Sequence, residues 1–357
     1  MTSITIQDRK IGVGEPVFIV AEVSANHRQR LDVALKTLEA VKEAGADAVK
    51  FQTYTPDTIT IDSHQEWFQI KHGTIWDGKT LYQLYKEAYT PWHWYGTLKT
   101  VAEDLGLICF SSPFDKTAVD FLHEMQTPAY KVASFEITDI PLIQYIASKG
   151  KPVIISTGVA ELSEIEEAVA ACKDVGNEDI ILLKCSSIYP TPFDEINLGG
   201  LTYLKEHFKT VVGLSDHSTS ISVPVASVVL GASVIEKHFT LDRALGGPDS
   251  EFSLEPSEFR RMVQAVREVE AALGDASYRL SERVRQNRVH VRSLFVVKDV
   301  QAGESFTQDN VRSIRPGHGL HPRYLKDILS KRATAFIKRG TPLSWQHVEK
   351  EEGEDCH

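Results

Sequence analysis

The sequence predicts a (β/α)8 TIM barrel followed by a small, mostly β domain. Two observations carry that prediction. Before residue 275, eight short runs rich in Val and Ile alternate with segments of helical period. Beyond Ala276 the pattern turns to short alternating strands separated by Gly-containing turns. Continuous apolar runs fit strands covered on both faces, and their alternation with helices is the pattern of a parallel α/β fold. A doubly wound sheet is the competing architecture, but no G-x-G-x-x-G turn follows the first strand.

In chain order the strands are VFIVAEV from Val17, AVKFQ from Ala48, LICFSSP from Leu107, AYKVAS from Ala129, VIISTG from Val153, IILLKCSS from Ile180, VVGLSDH from Val211 and VIEKHF from Val234. After the first of them, Leu31, Leu35, Leu38 and Val41 share one helical face, and Gly45 is placed to end that helix. An aromatic-dense insertion from Gln65 to Trp94 separates the second and third strands. The last helix carries a stripe of Phe259, Met262, Val263, Val266, Val269 and Leu273. The barrel is expected to end at residue 275, with a polar, Arg-rich linker over 276–290, the second domain over 291–350 and a disordered tail, EEGEDCH, over 351–357. So small a domain is near the lower limit for independent stability and is expected to lean on another surface.

Composition excludes several classes. The 357 residues carry 39 Lys plus Arg against 49 Asp plus Glu, a net charge of -10 with no Lys/Arg-rich run. Such a chain is a poor binder of nucleic acid or of an anionic membrane, so any anion must be held in a local pocket. Cys109, Cys172, Cys185 and Cys356 are scattered, with no C-x-x-C pair. That argues for a reducing compartment and against a thiolate zinc site. The start lacks the apolar core of a signal peptide, and the stretch from Val223 to Ile235 is too short to span a bilayer. A soluble cytoplasmic protein is expected.

Catalytic groups of such barrels sit at the C-terminal strand ends. Here those ends read Glu22; Lys50 and Gln52; Ser111 and Ser112; Lys131 and Ser134; Ser156; Ser186 and Ser187; Ser215, Asp216 and His217; Glu236 and His238. A polar residue at one strand end is a solvated loop start; eight polar ends around one mouth point to a site. Ammonium groups and hydroxyls suit a phosphate and a carboxylate. His217 and His238, on neighbouring strands with Asp216 and Asp249 nearby in sequence, could hold one divalent ion and leave positions open for substrate oxygen and water.

The motifs AEVSANH (Ala21 to His27), VKFQTYTPDT (Val49 to Thr58), FSSPF (Phe110 to Phe114), YKVASFE (Tyr130 to Glu136), STG (Ser156 to Gly158), IYPTP (Ile188 to Pro192), GLSDHS (Gly213 to Ser218), IEKHFTLD (Ile235 to Asp242) and RPGHGLHP (Arg315 to Pro322) resemble, in order, those of the sialic acid synthase family. The second domain is similar to the antifreeze-protein-like (SAF) fold. The insertion GTIWDGKTLYQLYKEAYTPW and the pair EKHFTLD with DSEFSL resemble the pseudaminic acid synthase branch.

The resemblance implies a transferase joining C3 of phosphoenolpyruvate to the aldehyde of an open-chain amino sugar, 2,4-diacetamido-2,4,6-trideoxy-L-altrose in this branch, with loss of phosphate by C–O cleavage. By matched motif, His217 and His238 would hold Mn2+ or Mg2+. Glu22 and Asp249 would orient the metal's water and move protons, with Glu136 as a third catalytic carboxylate. Lys50, Ser112 and Lys131 would face the phosphoenolpyruvate carboxylate, and Ser134, Ser156, Ser187 and Ser215 its phosphate. Sialic acid synthases carry Asn where this chain has Ser187, so one phosphate contact falls to a shorter side chain. Gln52, Glu136 and Tyr189 would contact the sugar, and Trp76 in the insertion would help choose it. Arg315 would complete the site of the other subunit in a domain-swapped homodimer. The open alternatives are the same chemistry on the precursor of N-acetylneuraminic or legionaminic acid, a metal-dependent hydrolase, and a non-catalytic sugar-binding protein. Against the hydrolase, only Asn26-His27 stands where an H-x-H pair is expected.

Overall fold

A computed structural model describes residues 3–71, 73–275 and 277–350. The chain divides into two compact units, Met1–Gly274 and Asp275–His357.

The first unit opens on a hairpin, β1 (Ser3–Ile6) and β2 (Arg9–Gly12), that the sequence did not announce. Its two-residue turn places Gln7 at φ 51°, the left-handed backbone that tight hairpins need, without the Asn-Gly or Asp-Gly pair that advertises one. Eight parallel strands follow: β3 (Phe18–Glu22), β4 (Ala48–Thr53), β5 (Ile108–Pro113), β6 (Tyr130–Val132), β7 (Val153–Ser156), β8 (Ile180–Cys185), β9 (Val211–Asp216) and β10 (Val234–His238). They close in sequence order, β10 pairing with β3. Each coincides with one of the eight apolar runs.

Strand alternation gives the barrel two cores. Residues facing outward, such as Ile19, Val49, Ile155 and Leu182, pack beneath the surrounding helices. Residues facing inward at the N-terminal end, including Phe18, Val20, Phe110, Ile154 and Val234, form a separate cluster with Ile4, Ile6 and Ile11. The hairpin therefore stoppers the bottom of the barrel, and each fully buried Ile contributes about 1.5–3 kcal/mol. The helix Leu31–Ala44 ends at Gly45, whose φ of 91° lets its N–H reach the Lys42 carbonyl. Its buried face is centred on Ala34, Leu38 and Val41, with Leu31 and Leu35 at the edge. In the helix Pro256–Leu273 the stripe is buried at Phe259, Met262, Val263 and Val266, and Val269 packs against them. Leu273, the last helical residue, is exposed.

In the second unit the Arg-rich segment is not featureless: Glu282–Gln286 is a short helix and Asn287–His290 a 3-10 turn. β11 (Ser293–Val296) and β12 (Val311–Ile314) pair antiparallel over a core of Leu294, Val296, Val300, Phe306, Val311, Ile328, Ala333, Ile337, Leu343 and Val348. Cys109, Cys172 and Cys185 are buried free thiols. Cys356 and the proposed 351–357 tail lie outside the described residues. Among the described residues no helix is long and apolar enough to cross a membrane.

Candidate active site

The same alternation that builds the lower barrel core builds a polar layer above it. Toward the C-terminal ends of five strands the inward position becomes polar: Val20 is followed by Glu22, Ala48 by Lys50 and Gln52, Phe110 by Ser112, Ile154 by Ser156, Val234 by Glu236 and His238. Register then sets neighbours. Glu22 lies beside Lys50 on one side and His238 on the other, and Ser215 beside Glu236. Above this layer opens a cavity of about 310 Å³ lined by Gln52, Lys131, Ser134, Glu136, Ser156, Ser215, His217, Glu236, His238 and Asp249, with walls that include Trp76, Tyr85, Tyr189 and Phe252.

The floor is a buried charge cluster. Lys50 Nζ lies 2.8 Å from Glu22, 3.3 Å from Glu236 and 3.5 Å from the Ser112 hydroxyl. Lys131 Nζ donates to Ser156 Oγ at 2.6 Å and to the Val132 carbonyl at 3.0 Å, and stands 3.9 Å from Glu236. Burial raises Glu22, partly offset by Lys50. Burial would also raise Glu236, but Lys131 and Lys50 overrule it and hold its carboxyl below the usual range. Burial pulls Lys131 down to about 8, against the opposing pull of Glu236. From sequence, both lysines were expected to face the phosphoenolpyruvate carboxylate, with no partner named for them in the protein. In the folded chain Lys50 pairs with Glu22 and Glu236 and Lys131 with Glu236, and Glu236 carried no assigned role from sequence.

Next to Lys131 the hydroxyls gather around one backbone amide. The Gly158 N–H donates to Ser134 Oγ at 3.2 Å. A Cβ at Gly158 would lie 2.2 Å from Ser187 Oγ, 2.8 Å from Ser134 Oγ and 2.9 Å from Cys185 Sγ, so only glycine admits this approach. Ser134, Ser156 and Ser187 with the Gly158 amide make a cradle of short donors, the hardware of an anion site. Ser215 stands apart, donating to Glu236 at 3.2 Å.

The imidazoles of His217 and His238 have ring centroids 5.3 Å apart. His217 Nδ1–H donates to the Ser186 carbonyl at 3.0 Å, so that in the neutral ring the lone pair sits on Nε2. His238 Nδ1 is buried without a partner, and burial followed by the charge of His217 keeps that ring neutral. Two rings so prepared fit a divalent ion. Among the described residues no group of three or more His, Cys, Asp and Glu gathers as a metal set, so the pair would leave the ion's other positions to water and substrate. Burial would raise the Cys185 thiol, but His217, 3.9 Å away, brings it down to about 7.

Burial also raises Asp249, which accepts from the Ala25 N–H at 3.4 Å, and raises Glu136 to about 7. Gln52 donates to Glu22 at 3.2 Å and to Ser24 at 2.7 Å. Tyr189 packs 4.4 Å from His217 and 5.5 Å from Trp76, ring centre to ring centre, with Phe252 closing the wall. Trp76 Nε1 donates to the Pro248 carbonyl at 2.7 Å, tying the insertion to the loop that carries Asp249.

Three expectations are corrected or left apart. Asp216 does not join the imidazoles: it faces outward, where it forms a buried ion pair with Lys237, because residue 216 falls between the inward positions 215 and 217. Ser111 faces outward for the same reason and shares a 2.7 Å hydrogen bond with Thr53. Arg315 belongs to the second unit, just after β12. Of the insertion aromatics only Trp76 and Tyr85 line the cavity; Trp92 stacks on Phe121 and Trp94 packs against His27.

Comparison with known proteins follows this geometry. Residues 37–278 match the NeuB family and residues 291–349 the SAF domain. The chain is 49% identical to a pseudaminic acid synthase of Campylobacter jejuni subsp. jejuni over 92% of its length and 95% of the relative's. It is 44% identical to a pseudaminic acid synthase of Helicobacter pylori over 94% of its length and 99% of the relative's. The crystal structure of an N-acetylneuraminic acid synthetase from Leptospira borgpetersenii serovar Hardjo-bovis, in complex with citrate, superposes with a TM-score of 0.72 at 33% identity, covering 80% of this chain and 95% of that one.

Proposed function

The chain belongs to the NeuB family, and from that premise we propose that it condenses phosphoenolpyruvate with 2,4-diacetamido-2,4,6-trideoxy-L-altrose and water to give pseudaminic acid and phosphate. The observation that carries this reading is a cavity that brings Ser134, Ser156 and Lys131 together with an aromatic wall, with Ser187 and Gly158 packed against Ser134 and Lys50 joined to Lys131 through Glu236.

C3 of phosphoenolpyruvate attacks the sugar's aldehyde carbon, forming the C–C bond; water adds at C2, and the C–O bond to phosphate breaks. The cradle takes the phosphate and holds the leaving group, while Lys50 and Lys131 receive the carboxylate. Trp76, Tyr189 and Phe252 offer an apolar face to the deoxy sugar's methyl group, and Gln52 a polar one to its hydroxyls. Glu136, raised to about 7, can hold or release a proton near neutral pH. It therefore suits the proton that the aldehyde oxygen gains as it becomes a hydroxyl. His217 and His238 would hold the Mn2+ or Mg2+, whose chemistry is to polarise the aldehyde as a Lewis acid. Glu22 and Asp249 would order water and move protons beside it. Arg315 of one subunit would contact an acetamido group in the site of the other, through exchange of the small domains. Three buried free thiols suit a cytoplasmic enzyme.

The test is phosphate release followed by mass spectrometry of the product. Release should need both substrates, favour the altrose derivative over N-acetylmannosamine and the legionaminic acid precursor, and stop on chelation of divalent ions until Mn2+ or Mg2+ is restored. Phosphate released from phosphoenolpyruvate alone would indicate a hydrolase. Sugar binding without release would indicate a binding protein.

A further inference from the structure

We propose that Glu236 is a positioning residue for phosphoenolpyruvate: one oxygen of its carboxylate gathers the Lys50 and Lys131 ammonium groups and the Ser215 hydroxyl into the array that receives the anionic substrate. The inference rests on the function proposed above and adds a residue to which it gives no role. Three donors on three different strands converge on Glu236 Oε1, at 3.3 Å from Lys50, 3.9 Å from Lys131 and 3.2 Å from Ser215. The residue is 5% exposed and lines the cavity, and its second oxygen has no protein partner.

The physical logic is charge balance. Two ammonium groups in a dry pocket repel one another, and each loses its hydration. Lys50 has a second anchor in Glu22 at 2.8 Å, whereas the other close partners of Lys131 among the described residues are the neutral Ser156 hydroxyl and Val132 carbonyl. Lys131 is therefore the group whose charge depends on Glu236. Burial already brings it down to about 8 while Glu236 opposes that fall. Glu22, Lys50, Cys185, Glu136 and His238 also act on Lys131 or feel it, and a change confined to Glu236 leaves all of them in place.

The test is the affinity of the full-length enzyme for phosphoenolpyruvate, measured by calorimetry from pH 6 to 9 on wild type, Glu236→Gln and Glu236→Asp, with turnover measured in parallel. Glutamine keeps an oxygen for Ser215 but removes the charge. Wild-type affinity should fall as pH rises through about 8. In Glu236→Gln that fall should move down by about 1–3 pH units, because an opposite charge at this distance shifts a titration by that much. The variant then binds about fivefold to several hundredfold more weakly than wild type at pH 8, and the gap narrows as pH falls toward 6. Glu236→Asp, which keeps the charge, should retain the wild-type midpoint. A Glu236→Gln profile with the wild-type midpoint, or weakened equally at every pH, would overturn the proposal. So would a Glu236→Asp midpoint displaced as far as that of Gln, and this variant decides the matter if Gln does not fold. Wild type that binds phosphoenolpyruvate but releases no phosphate with the sugar would defeat the proposed function while leaving the affinity profiles to judge Glu236. Wild type that does not bind it defeats both.

Discussion

At the residue scale the site is decided by what is missing from Gly158 as much as by what surrounds it. Its φ is unexceptional, so the requirement is space: a methyl group would meet the Ser187 and Ser134 hydroxyls and the Cys185 thiol, all under 3.0 Å. Gly158→Ala should therefore push the cradle open. The expected result is a rise of about tenfold or more in KM for phosphoenolpyruvate with little change in KM for the sugar, and a loss of about 1–3 kcal/mol in stability from overpacking. Initial-rate kinetics with each substrate varied in turn, together with denaturant unfolding, checks both parts. An equal rise in the two KM values would place Gly158 in the general packing of the mouth and not in the phosphate cradle. The serines of the cradle were legible because hydroxyls at strand ends stand out against apolar runs. The glycine was visible only as part of a motif, since a backbone N–H has no sequence signature of its own.

At the scale of elements, the insertion between β4 and β5 is held at the mouth by two side chains with different duties. Trp92 donates to the Tyr54 carbonyl at 3.0 Å and stacks on Phe121, which anchors the insertion to the barrel. Trp76 reaches over the cavity, bonds the Pro248 carbonyl and packs on Tyr189, itself packed on His217. Trp76→Ala should remove apolar wall and the tie to the Asp249 loop. Its kcat/KM should drop more for the altrose derivative than for a sugar bearing a 6-hydroxyl, by about tenfold, the worth of one methyl-sized apolar contact. Its KM for phosphoenolpyruvate should change by less. Competition between the two sugars reads the ratio directly, and an unchanged ratio would reduce Trp76 to a packing residue. The aromatic density of the insertion was plain in the sequence. Which two of its rings face the cavity was not, because that depends on how short helices such as Leu81–Ala88 turn against the barrel.

For the whole molecule, the expectation concerns how many chains make one site. If Arg315 serves a neighbouring subunit, His217→Ala and Arg315→Ala damage different parts of each site and complement one another. Mixing the two inactive variants and allowing subunit exchange should restore about a quarter of wild-type activity, since half the dimers are mixed and each of those keeps one intact site. No recovery after proven exchange, followed by mass measurement of mixed dimers, would show that each chain builds its site alone. The sequence by itself determined the eight strands, their order and the polar character of their ends, because apolar runs and alternation are local properties read a few residues at a time. It also determined the family, through motifs that keep their order along the chain. Tertiary structure alone decided that Glu236 meets Lys50 and Lys131, that Asp216 turns away to Lys237, and that the first hairpin closes the barrel floor. Each of those outcomes depends on the parity of a strand position or on the register of strands far apart in sequence. A shift of one residue would send the same side chain to the opposite face.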